Sequence, residues 1–213
     1  MMENGSALLA MLLALGIGAV SPGPSFMMVA RSATREGRRH ASWVALGMGL
    51  GAMLFALAAL LGLQAVLKAV PAVYLGFKLL GGAYLLYLGW QIWRGARAPL
   101  VLADEAAPSP ATPRDGRAFA LGMLTQLSNP KTAVVYTSVF AALMPAAPGL
   151  GFLATLVLLV GCIEAGWYLV VARALSAPAA RSAYLRSKGW VDRVAGGLMG
   201  CLGVRLLGTA TEP

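Results

Sequence analysis

The residues best placed to do chemistry sit at two proline breaks and at two charges set inside apolar runs. Ser21-Pro22-Gly23-Pro24 interrupts an apolar stretch running from about Ser6 to Ala30, and Ser128-Asn129-Pro130-Lys131 interrupts another. Proline has no backbone N–H and clashes with the preceding turn, so each segment breaks a helix. In hydrocarbon the freed carbonyls cannot turn to water, so a break is tolerated only beside protein or a wet cavity. Asn129-Pro130 is also a start signal, because Asn caps helices well and Pro suits the first helical position. A half-helix starting in mid-membrane presents free N–H groups and a partial positive charge, which suits a carboxylate. Ser21 and Gly23, beside Pro22 and Pro24, are expected to start a second. Lys131 and Glu164 each place a charge inside an apolar run, at a cost of about 3 kcal/mol if left alone. Both are therefore expected to face an interior pathway, within reach of each other, with Glu164 serving as a proton or ammonium partner.

The elements that must position these groups are membrane-spanning helices. Of 213 residues 59% are hydrophobic and 12% charged, about half the charge of a soluble domain. Mean hydropathy is +0.74. Stretches of about 20 apolar residues mark spans, and six are expected, near 6–30, 42–66, 71–93, 118–144, 149–173 and 189–208. Thirteen of the 17 basic residues lie around the 1–2, 3–4 and 5–6 connections, while the 2–3 loop offers only Lys68. Basic loops stay in the cytoplasm, so both termini of a six-span chain are expected outside. Trp43, Trp90, Trp93 and Trp190 then fall at cytoplasmic helix ends as an aromatic belt. A Pro-rich segment near 99–116, with Pro108, Pro110 and Pro113, reads as a flexible linker between halves of about 1–98 and 117–213. Three spans per half means that the halves enter from opposite sides, an inverted repeat with broken helices 1 and 4. Gly16 and Gly122 each stand eight residues before the break prolines Pro24 and Pro130, a weak internal match.

Several function classes drop out. The net charge of +9 lies between apolar runs, which points to membrane orientation and away from nucleic acid. Gly47-x-Gly49-x-Gly51 lies within a span and follows no strand, so it reads as helix packing and not as a nucleotide loop. Cys162 and Cys201 form no metal-ligand pattern and are expected to be small buried residues, and His40 is expected to be solvated in a basic loop. Met1 to Ser6 contains Glu3 and neither Lys nor Arg, which argues against a cleaved secretion signal. No nucleophile–base pair, phosphate loop or paired carboxylates occur in the spans, and no segment could hold an ATPase, so neither an enzyme nor a cofactor is expected. Nothing in the residues decides between a monomer and a homo-oligomer.

The Gly-rich first span with Ser21-Pro22-Gly23-Pro24, the basic turn after it, the glycines of the second span and Asn129-Pro130-Lys131 resemble the LysE/RhtB family of amino-acid exporters from about Leu8 to Gly208. The resemblance implies a multi-pass protein of the bacterial inner membrane, a secondary carrier that exports a small amino acid using the proton motive force. It implies that Pro22, Gly23, Pro24, Asn129, Pro130 and Lys131 are signature positions. The motifs assign no particular substrate. Rival readings are a metal-ion exporter, which would want more acidic, His or Cys groups in the spans, and a non-transport scaffold. A disulfide-reducing electron carrier would want cysteines at the breaks, where this chain has Ser, Gly, Asn and Lys.

Overall fold

The computed structural model describes residues 2–69, 71–97, 115–145 and 148–208. Among them are eight helices and no strand: α1 (Met2–Val20), α2 (Pro24–Arg35), α3 (Arg38–Ala69), α4 (Pro71–Gly95), α5 (Asp115–Leu127), α6 (Pro130–Leu143), α7 (Leu150–Leu175) and α8 (Pro178–Gly208). Every even-numbered helix begins on a proline, at the position where the missing N–H costs nothing. The α2–α3 turn is made by Gly37 at φ +86°, a left-handed conformation that a side chain would resist. The order is a broken pair and two long helices, twice over: α1–α2, α3, α4, then α5–α6, α7, α8. The Pro-rich connection expected near 99–116 lies outside the described residues, apart from its last two positions.

By length and composition α3 and α7 can each cross a membrane, and α1–α2 is a third candidate bent by 53° at its break. Among the described residues these are the candidates that length and composition give, of the six spans expected; α8 carries Asp192, Arg193 and Arg205 along its apolar part. The bend in α1–α2 and the α5–α6 interruption fall where the prolines require them.

Packing divides into two apolar clusters on either side of the breaks. One gathers Met11, Leu15, Ala56, Leu85, Val135, Leu156 and Met199. The other gathers Phe26, Val29, Val44, Ala118, Tyr168 and Val171. Helix α3 packs along both α5 and α7, and α4 packs along α8. Glycine allows these approaches. A Cβ on Gly89 would lie 2.6 Å from the Gly196 carbonyl oxygen, and one on Gly196 would lie 2.7 Å from that of Gly89. At the α3–α5 crossing, a Cβ on Gly122 would collide with the Val44 carbonyl and one on Gly47 with that of Phe119. The α3 glycines therefore serve helix approach, as their place within a span implied.

Two expectations need correction, on the cysteines and on His40. Helix α8 contains the apolar stretch expected at 189–208 and starts eleven residues earlier, at Pro178, because nothing after Pro178 breaks a helix and its basic residues can extend beyond the apolar layer. Trp190, 70% exposed, still marks the level of the end of α4, since Gly189 sits against the Ala96 carbonyl. Cys162 and Cys201 are exposed on helix surfaces, because an apolar run reveals that a residue is in a span but not which face it takes. His40 is buried and paired with Glu36 one turn before it, so the basic turn is not uniformly solvated.

Gly122→Val is expected to cost roughly 3 kcal/mol through overpacking. Gly166→Ala, on an exposed face with nothing within 4 Å of the added methyl, is expected to hold or raise stability. Melting temperatures of the detergent-purified variants check both, and similar values for the two would contradict the close-packing account.

Candidate functional site

At the first break α1 ends with the Ser21 amide donating to the Ile17 carbonyl at 3.3 Å, and α2 starts after Gly23, which is extended and offers no side-chain cap. The Ser25 and Phe26 amides open this helix without an intrahelical acceptor. At the second break Asn129 is an extended N-cap whose Oδ1 accepts the Lys131 amide at 3.0 Å. The Asn-Pro start signal thus forms as its chemistry dictates.

The two breaks, about a hundred residues apart in sequence, are bonded to each other. Lys131 Nζ donates to the Ser21 carbonyl at 2.8 Å. That places a cation on the negative end of the interrupted α1, where a helix C-terminus favours it. Asn129 Nδ2 donates to Ser25 Oγ at 2.8 Å, and Ser25 Oγ donates to Gln126 Oε1 at 2.6 Å. A Cβ on Gly23 would stand 3.2 Å from Lys131 Cδ, so the glycine makes room for the lysine side chain.

These contacts lie between two cavities. The larger, about 510 Å³, is lined by all of Ser21-Pro22-Gly23-Pro24 and Asn129-Pro130-Lys131, with Gln91 and Gly95 of α4 and Lys188 and Asp192 of α8. The smaller, about 20 Å³ and room for roughly one water, is lined by Glu164, Tyr136, Tyr168 and Ser25. Ser21, Gly23, Asn129 and Lys131 line both, so they form the partition.

Glu164 is buried on α7, its Oε1 accepting the Tyr136 hydroxyl at 2.9 Å and its Oε2 without a hydrogen-bond partner. Lys131 and Glu164 face the same small cavity, but their charged groups bond elsewhere and no ion pair joins them. The expected mutual reach is therefore only a shared pocket. Residues the motifs did not flag include Ser25, Gln126, Tyr136 and Asp192. Gln126 and Ser25 could have been noticed as polar groups beside the breaks, whereas Tyr136 needs the fold to reach Glu164. Among the described residues no three His, Cys, Asp or Glu side chains group as a metal site.

Comparison with known proteins gives a consistent set of likenesses. The family model described as LysE type translocator matches residues 16–209. The threonine efflux protein of Salmonella typhi is 34% identical over 193 residues, covering 90% of this chain and 92% of the relative. That of Escherichia coli strain K12 is 32% identical over 195 residues, with the same coverages. The uncharacterized membrane protein YahN of the same strain is 28% identical over 189 residues, 88% of this chain and 82% of its own. No solved structure matches.

Ser25→Ala strands both the Asn129 amide and the Gln126 carbonyl oxygen and is expected to cost about 2 kcal/mol. Ser25→Ala combined with Gln126→Leu is expected to cost clearly less than the sum of the single changes, as members of one network do. A double-mutant cycle on thermal unfolding measures the coupling; strict additivity would rule the network out.

Proposed function

The chain belongs to the LysE type translocator family, and from that premise we propose that it exports small amino acids across the bacterial inner membrane as a secondary carrier. The observation that carries this reading is that both helices restart at one cavity of about 510 Å³, with Lys131 beside them. Helix starts and an ammonium attract a carboxylate, which every amino acid carries. Relatives named for threonine efflux make threonine the first substrate to try.

In this reading six spans, α1–α2, α3, α4, α5–α6, α7 and α8, form two inverted halves of about 1–98 and 117–213. The repeated order of elements and the two breaks support the inversion. Charge bias supports basic connections in the cytoplasm and both termini outside. The large cavity then belongs to the cytoplasmic side, because Gly95 and Lys188, which line it, are close in sequence to the basic connections. Substrate would displace Lys131 from the Ser21 carbonyl to pass the partition. Glu164, behind that partition with one unpartnered carboxylate oxygen, is the group we assign to carry the coupling proton. A metal-ion exporter has less support, since among the described residues Asp192 is the one acidic side chain lining this cavity, beside two lysines.

Cells loaded with threonine dipeptides are expected to excrete threonine when the protein is overproduced and to accumulate it when the protein is deleted. Asn129→Ala and Lys131→Met are each expected to lower excretion about tenfold or more while the protein still reaches the membrane. An uncoupler is expected to abolish excretion, and Glu164→Gln to remove its dependence on the pH gradient. Unchanged excretion of every amino acid tested would sink the exporter reading.

A further inference from the structure

One wall of the large cavity holds an ion pair that binding at the breaks leaves without a role. On α8, Lys188 Nζ stands 2.7 Å from Asp192 Oδ2, one helical turn along, and both side chains are buried. Lys188 also donates to the Gly95 carbonyl at 3.1 Å, at the C-terminal end of α4. The lysine is thus held by two acceptors on two helices. The aspartate is held by one oxygen only. Its Oδ1 is buried without a hydrogen-bond partner, although Asp192 lines the cavity and only 3% of the residue is exposed. A buried carboxylate oxygen with no donor is costly, and Asp192, as a residue lining the cavity, can gain one from a molecule bound there.

The remaining lining supplies the complement. Lys131 and the Asn129-Pro130 helix start bring positive groups to the same cavity that Asp192 lines with a negative one. A molecule satisfying both ends carries a carboxylate and an ammonium. We propose that Asp192 Oδ1 is the ammonium subsite of this cavity, accepting a hydrogen bond from the α-ammonium of the amino acid while its carboxylate meets Lys131 and the start of α6. The assignment rests on the exporter reading and adds to it the element that selects a free amino group. Lys188 serves as a positioning residue, fixing the Asp192 carboxylate by occupying Oδ2 while Oδ1 keeps no partner within the protein.

The test uses inside-out membrane vesicles carrying the full chain, with labelled L-threonine and N-acetyl-L-threonine as the probes. Wild-type vesicles are expected to take up threonine and to reject the acetylated compound, which has lost its ammonium. Asp192→Asn is expected to raise KM for threonine about tenfold or more with little change in maximal rate, as loss of a charge-assisted contact made throughout the cycle would do. It is also expected to erase the preference over N-acetylthreonine, whereas Lys188→Met retains that preference. An Asp192→Asn protein with wild-type KM and preference overturns the assignment, as does equal loss of the preference in both variants, which would make the pair a latch between α4 and α8. Wild-type uptake of N-acetylthreonine as good as that of threonine overturns it too, whatever becomes of the variants. Wild-type vesicles that transport no amino acid would overturn the exporter reading itself, and the subsite with it.

Discussion

The Lys131 ammonium on the Ser21 carbonyl is the contact on which the rest of the arrangement depends. An interrupted helix inside an apolar layer leaves carbonyls at one end and amides at the other, with no solvent to take them. Here each break solves part of the other's problem. The second supplies the cation that the first one's carbonyl end needs, and the Asn129 amide reaches Ser25 at the start of α2. Neither interruption would be well satisfied alone, so the two halves of the chain are tied together at their least regular points.

That tie needs the helices around it to come unusually close. Gly23 leaves space for the lysine stem, and the Gly122 and Gly47 crossing brings α5 against α3 so that Gln126 can meet Ser25. Apolar clusters above and below the breaks hold this polar layer from both sides. The candidate site is thus a thin polar band whose backbone groups are fixed by packing that tolerates almost no added volume.

A partition of this kind also suits a carrier. Ser21, Gly23, Asn129 and Lys131 stand between a large cavity and a small one, and the hydrogen bond from the Lys131 ammonium to the Ser21 carbonyl joins the two breaks there. In the proposed reading, a small anionic group competing for that ammonium would open the way without unfolding either half-helix, because Asn129 keeps its own cap on α6.

Much of this was legible from local chemistry. Proline cannot continue a helix, so Pro22, Pro24 and Pro130 announced both breaks, and Asn129 announced a helix start, whatever the surrounding fold. Apolar runs announced helices, and the glycines of α3 announced close neighbours. Facing was not legible, because a run apolar on every side carries no periodic signal: Cys162 and Cys201 turn outward and His40 turns inward. Pairing was not legible either. Lys131 and Glu164 have opposite charges and are expected within reach of each other, yet one bonds a backbone carbonyl and the other Tyr136. Asp192 carries no motif signal, and only the continuous α8 puts it on the wall of the cavity at the breaks. Backbone chemistry is local and is written in residue type; the partner of a buried charge depends on which helices cross beside it, and only the packed chain decides that.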